Sequence, residues 1–194
     1  MANHVTTWIE VQSDKEEVYQ SLVEMFRGST YKEHGDTMWW YKKLYPDALD
    51  DYERSIYTER MGAKWCYIDD VAPDEMFFEM TTTSAWDFCD GAIMQLHSIL
   101  SEIDEDVLIR FTYEDESLSP IGGGGVFRGE MEHYSEDWSD KWPTFEDEDY
   151  DEKYDEMWDL VGDAKNELMS EACDDLMIQM SEDEIEDSEE YDEE

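Results

Sequence analysis

The chain has 194 residues, of which 55 are Asp or Glu and 13 are Lys or Arg, giving a formal charge of −42. A polyanion of that strength is repelled by nucleic-acid phosphates and by anionic membrane surfaces, so direct binding to either is excluded and basic proteins are the favoured partners. Apolar residues make up 40% and aromatic residues 14%, enough to fill a core, so the chain as a whole is not of the disordered type.

In chain order, Thr6 to Val11 alternates and is rich in β-formers, which predicts a first strand. Ser13 followed by Glu16 has the spacing of a capping box. The helix it would start carries Val18, Leu22, Met25 and Phe26 at helical intervals and ends near Gly28. An aromatic stretch follows, with Trp39, Trp40, Tyr41, Tyr45, Tyr52 and Tyr57. It holds most of the basic residues of this half of the chain and reads as an insert over about 30–62. Within it, Asp47 after Pro46 predicts a helix from Ala48 to Arg60.

Trp65 to Val71 and Glu75 to Thr82 read as two strands joined by a hairpin through Ala72, Pro73 and Asp74. A helix is expected from Ser84 to Ile103, with Trp86, Cys89, Ile93, Leu96 and Leu100 on one face. Val107 to Asp115 reads as the next strand, and Gly122 to Tyr134 as a glycine turn leading into a last strand. This order is α+β. It contains the βαββαβ pattern of a ferredoxin-like sandwich, with two helices on one face of the sheet.

From Glu136 onward the composition shifts: this segment holds 27 acidic and 3 basic residues, more than half of the net charge. The expected organisation is a ferredoxin-like domain over 1–135, an acidic segment with a long helix over 136–180, and a disordered acidic tail over 181–194.

Several short motifs resemble a phage- and plasmid-encoded family with a ferredoxin-like domain, typified by a bacteriophage of an aphid endosymbiont. They are Asn3–Val11 (NHVTTWIEV), Gly62-Ala63-Lys64-Trp65, Phe77–Trp86 (FFEMTTTSAW), Ile109–Ser117 (IRFTYEDES), and the glycine run with Val126, Phe127, Arg128 and Gly129. The resemblance covers about residues 1–134 and implies the fold and an origin on a mobile element. It implies no catalytic residues, and the acidic C-terminal segment lies outside the family pattern.

No arrangement with the spacing of an active site is legible. The run Gly122–Gly125 lacks the Gly-Lys-Ser/Thr ending of a phosphate loop. Asp147, Asp149 and Asp151 begin like a calcium loop, but Glu152 and Trp158 stand where that loop needs Gly and a bidentate Glu. Cys66, Cys89 and Cys173 show no metal-ligand spacing, and neither do His4, His34, His97 and His133. The expectation is a non-enzymatic protein without cofactor or metal. The absence of a secretory signal or a long apolar run points to the cytoplasm of the host cell.

The strongest signal is a row of carboxylates four apart: Asp147, Asp151, Asp155, Asp159, Asp163, Glu167, Glu171 and Asp175. A helix over Asp149–Met180 would stack them beside an apolar stripe of Tyr150, Tyr154, Met157, Trp158, Val161, Ala164, Leu168, Ala172, Leu176 and Met180. Like charges at this interval oppose helix formation, so a row without basic relief suggests a surface built to be recognised. The reading is a DNA mimic that inhibits a basic nucleic-acid-binding protein (a restriction, CRISPR, recombination or nucleoid protein). Trp138, Trp142 and Tyr150 are candidate apolar anchors. The alternative is an adaptor or assembly protein that binds a partner through its sheet or through Trp39, Trp40 and Tyr41, the acidity then serving solubility.

Overall fold

The computed structural model describes residues 3–27, 39–48, 54–74, 76–141 and 150–191. The fold is α+β, built on a six-stranded antiparallel sheet. Strand β1 (His4–Gln12) sits inside it, with Val5, Thr7, Ile9 and Val11 buried on one face and Thr6, Trp8 and Glu10 half-buried on the other. Further strands are β2 (Lys64–Pro73), β3 (Phe78–Ala85), β4 (Leu108–Asp115), β5 (Ile121–Phe127) and β6 (Glu130–Glu136), in the order β2-β3-β1-β4-β5-β6. β1 pairs with β3 on one side, from His4↔Ala85 to Val11↔Phe78, and with β4 on the other, from Val5↔Asp115 to Gln12↔Leu108.

Helices α1 (Glu16–Phe26), α2 (Trp39–Leu44), α3 (Arg54–Met61) and α4 (Asp90–Ser101) cover the face bearing Ile9 and Val11. Their apolar sides and the inward residues of β1 to β4 form the main core, which contains Leu22, Phe26, Ile93, Leu96 and Phe111. The rings of Trp40 and Tyr41 belong to that core, only 1% and 4% exposed. Trp40 and Tyr41 therefore fill the interior, whereas Trp39 is half-buried and Tyr52 lies outside the described residues.

Local departures from the sequence reading have physical causes. Ser13 does not cap a helix together with Glu16. Its hydroxyl accepts the Lys15 N–H at 3.0 Å and donates to the Asp104 carboxylate at 2.5 Å, tying the start of α1 to the loop before β4. The helix expected from Ser84 starts at Asp90, because Ser84 and Ala85 complete the ladder with Val5 and His4, and the Ser84 hydroxyl donates to the Asp87 carbonyl at 2.6 Å. The helix expected from Ala48 is described from Arg54, with Pro46–Ala48 forming a 3-10 turn.

The largest departure is the glycine run, which is strand β5 and not a turn. The reversal comes later, at Arg128-Gly129, where φ angles of 47° and 89° and the pair Phe127↔Glu130 make a two-residue hairpin. The glycines are explained by what lies on each side. A Cβ on Gly123 would stand 2.6 Å from both the Lys165 carbonyl oxygen and the Met169 nitrogen, and one on Gly125 would stand 2.6 Å from Cys173 Sγ. On the other face, positions 122 and 124 are occupied by the Tyr113 and Phe111 rings of β4. Only a strand without side chains can take a helix backbone on one face and aromatic rings on the other.

The helix that lies there is α5 (Tyr150–Tyr191), 42 residues long. It covers β4, β5 and β6 on the face opposite α1 to α4. It continues to Tyr191, into the segment 181–194 expected to lack structure, since nothing after Gly162 is Gly or Pro and its residues are mostly good helix formers.

Two outcomes follow from this packing. Gly123→Ala should lower unfolding free energy by about 1–3 kcal/mol through overpacking against the α5 backbone. Gly162→Ala, where an added Cβ meets nothing within 4 Å, should raise it by about 1 kcal/mol; urea melts of both variants check the opposite signs. His97 on α4 is buried with its Nε2 unpartnered, and burial holds its pKa below the ordinary 6.5. Below pH 6.5 the unfolded chain then binds more protons at this site than the folded one, so its contribution to stability is complete above pH 6.5 and lost as pH falls. The stability difference between wild type and His97→Gln, measured by urea melts across pH, should be flat above that value and move against wild type below it.

Candidate functional site

On an α-helix, residues two apart lie about 200° apart around the axis. The buried residues of α5 include Met157, Val161, Lys165, Met169 and Cys173, a row four apart, joined by Ala172 and Leu176. The acidic row is displaced from that seam by two positions. Asp155, Asp159, Asp163, Glu167, Glu171 and Asp175 are all exposed. Asp147 lies outside the described residues; Asp151 lies in the helix, with its side chain outside them.

Each four-residue step advances about 40° around the helix, so the row crosses the outward face obliquely. Asp163 and Glu167 are exposed two positions either side of the buried Lys165, and Asp175 has come round to the flank of β6. There the Tyr134 hydroxyl donates to Asp175 Oδ2 at 2.7 Å. That hydrogen bond, with the negative charge of Asp175, Glu132 and Glu171 nearby, pushes the Tyr134 phenol up to about 12. Glu152, Glu156 and Asp174 on α5 and Glu130 and Glu136 on β6 are exposed beside the row.

The seam was only partly legible. The apolar stripe read through Ala164 and Leu168, which are half-buried; the centre of the contact is Lys165 and Met169. Lys165 does not neutralise the outward carboxylates. Its ammonium turns inward, 2.5 Å from Glu114 Oε2 on β4 and 3.9 Å from the centre of the Trp8 ring on β1. The signal for this was its place in the same four-residue register as Met157, Val161 and Met169.

Trp138, expected as an anchor, is 8% exposed and packs with Leu118, Ile121, Met157 and Val161. Its indole N–H donates to Glu136 Oε2 at 2.7 Å, and Lys141 Nζ stands 3.5 Å from its ring centre. It fastens the first half of α5 to the sheet. Trp142 and the Tyr150 side chain lie outside the described residues. Among its described side chains, the large apolar groups that α5 exposes are Leu160, Met177 and Ile178, at 57%, 46% and 55%.

Elsewhere, a shallow groove lies between Lys15, Asp104, Leu108 and Phe127 and the Met177 end of α5. Of the carboxylates that line it, Asp104 is held by Ser13 and by Lys15 at 3.1 Å, and hydrogen bonds from both keep its pKa below the usual value. Among the described residues, no three His, Cys, Asp or Glu side chains converge to hold a metal ion, and no helix is long and apolar enough to cross a membrane.

No family model, curated protein or solved structure matches this chain.

Lys165 and Glu114 are nearly enclosed, at 10% and 16% side-chain exposure. Lys165→Met alone should therefore destabilise by about 3–5 kcal/mol, because it strands the Glu114 charge. Adding Glu114→Leu should restore most of that loss; chemical denaturation of the single and double variants measures the difference.

Proposed function

We propose that the protein is a non-enzymatic nucleic-acid mimic of mobile-element origin. It occupies the basic groove of a host or defence protein in the cytoplasm, a restriction, CRISPR, recombination or nucleoid protein, and does not itself bind nucleic acid. The observation that carries this reading is the unbroken exposure of Asp155, Asp159, Asp163, Glu167, Glu171 and Asp175 opposite a buried seam.

The dimensions support it. From Asp155 to Asp175 the helix rises about 30 Å, close to the roughly 34 Å of one duplex turn. The row presents a carboxylate about every 6 Å, against about 3.4 Å of axis per phosphate along one DNA strand. The exposed acids flanking it on α5 and β6 narrow that gap. The display also works against the helix, since each like-charged step is unfavourable by about 0.2–0.5 kcal/mol. Met157, Val161, Met169 and Leu176, at about 1.5–3 kcal/mol each on burial, more than offset it.

In fold terms we read β1 to β4 with α1 and α4 as a ferredoxin-like core, extended by β5 and β6. The strand order β2-β3-β1-β4 supports this, with α1 between β1 and β2 and α4 between β3 and β4. The motifs that resemble the phage- and plasmid-encoded family lie in that core and in β5 with the turn that follows it. The adaptor reading through the insert is weakened by the burial of Trp40 and Tyr41.

Inhibition on this reading is steering plus competition for the Lys and Arg side chains that normally hold phosphates. Immobilised on beads in host lysate at low salt, the protein should retain a nucleic-acid-binding protein that either high salt or added duplex DNA releases. The variant Asp155→Lys, Asp159→Lys, Asp163→Lys, Glu167→Lys should keep its circular dichroism spectrum and retain none. Undiminished capture by that variant contradicts the proposal.

A further inference from the structure

We propose that the end of the sheet where β1 leads into α1 is a second contact surface, a groove that takes a basic amphipathic helix of a protein partner. Gln12 of β1 is paired with Leu108 at the start of β4, and Leu108 with Phe127 at the end of β5. Val11, one residue earlier, is paired with Phe78 at the start of β3. These strand ends therefore lie side by side, and the β2–β3 hairpin closes the same end through the pair Pro73↔Phe78.

Two depressions run along this end. The first joins Lys15 and Asp104 to Leu108, Phe127 and Met177 of α5, and the second joins Glu16 to Met76 in the β2–β3 hairpin. Ser13, Asp14 and Tyr19 line both, so the two form one groove. From β3 to β5 is three strand spacings, about 14 Å, a distance that about three turns of helix cover. A methionine stands at each end. Met76 is 83% exposed, and Met177 continues the register of Met169 and Cys173, both buried, while being exposed itself. The apolar seam of α5 thus runs on into the groove. Phe77 and Ile178, next to the two methionines in sequence, are exposed as well. Exposed apolar groups gathered along one surface mark a contact site, and methionine, unbranched and polarisable, adapts to an apolar partner.

The polar lining fixes the sign of the occupant. Asp14, Glu16, Asp104 and Asp106 line the groove against one cation, Lys15. Lys15 is committed to Asp104 at 3.1 Å and to the Ile103 carbonyl at 3.0 Å, and Asp106 is paired with Arg128 at 2.8 Å. Asp14 and Glu16 are exposed and take part in no ion pair among the described residues, so their charge is available to a partner. Glu16 in the first turn of α1 also suits the helix dipole, but that accounts for neither exposed methionine.

A second copy of the chain would bring a formal charge of −42 to these carboxylates, and repulsion disfavours it. A helix with apolar side chains on one face and Lys or Arg along its border meets both demands. Its apolar face rests on Met76, Phe127 and Met177, and its cations stand beside Asp14 and Glu16. The groove is separate from the outward row of α5. Met177 lies two positions beyond Asp175, about 200° round the helix, and Met76 is carried by β2 and β3, at the opposite edge of the sheet from β5 and β6. The groove requires a basic partner, but not one that holds nucleic acid.

The test labels the methionine methyl groups and follows their NMR signals during titration with a leucine–lysine peptide patterned as an amphipathic helix of about four turns. A peptide of the same composition in scrambled order is the comparison. The patterned peptide should shift the Met76 and Met177 signals and bind about tenfold more tightly than the scrambled one. Met76→Ser with Met177→Ser, both at exposed positions, should leave the urea melt nearly unchanged and weaken the patterned peptide by about tenfold. Asp14→Asn with Glu16→Gln should weaken both peptides and reduce the dependence of binding on salt. Reversing the α5 row should leave both methyl shifts in place. Equal binding of the two peptides, undiminished binding by the double methionine variant, or loss of the shifts on reversing the row overturns the proposal. So do methionine shifts on diluting the protein alone, which would put a second copy in the groove.

Discussion

The architecture depends on how closely the backbone of α5 approaches strand β5. Gly123 and Gly125 remove the side chains that would hold the helix off the sheet, and Lys165, Met169 and Cys173 come down in their place. That contact fixes which side of α5 faces inward. Once it is fixed, helical geometry sends every residue two positions away from the seam toward solvent. The outward row of carboxylates is therefore set by a strand lacking side chains, some forty residues earlier in the chain.

The same contact explains how the charge is kept available. The ion pairs found among the described residues are Lys15 with Asp104, Arg110 with Glu10, Arg128 with Asp106, and Lys165 with Glu114. All four secure the sheet or the turns at its ends, and none involves the described row from Asp155 to Asp175. Lys165 shows the division most clearly: it is carried by the acidic helix but serves the sheet beneath it. The field that remains reaches beyond contact distance, weakened only over a Debye length of about 8–10 Å at physiological salt.

Much of this was legible in the sequence where local pattern and tertiary demand agree. The alternation in β1, the apolar spacing of α1 and the long acidic helix rest on periodicity, and packing reinforced each of them. Legibility failed where a distant partner decided the outcome. Gly122–Gly125 reads locally as a turn, and becomes a strand because Phe111, Tyr113 and α5 occupy the space that side chains would need. Ser84 reads as the start of a helix but is held in β3 by Val5, and Ser13 reads as a cap but is committed to Asp104. Trp138 reads as an exposed anchor because nothing nearby in sequence reveals that Leu118 and Ile121 lie beneath it. Trp86, which reads as part of a helix's apolar face, and Trp65, which reads as the start of a strand, are both exposed at the end of the β2–β3 ladder.

Carbodiimide labelling of carboxylates in the native protein, read residue by residue by mass spectrometry, tests the central claim most directly. The account requires Asp155, Asp159, Asp163, Glu167 and Glu171 to label rapidly. Glu114 beneath Lys165 and the buried Asp104 and Asp115 should label slowly until the chain is unfolded. Protection of the α5 row in the isolated protein, or a Glu114 that labels as fast as Asp163, would mean that the helix is not seated on β5 in this orientation.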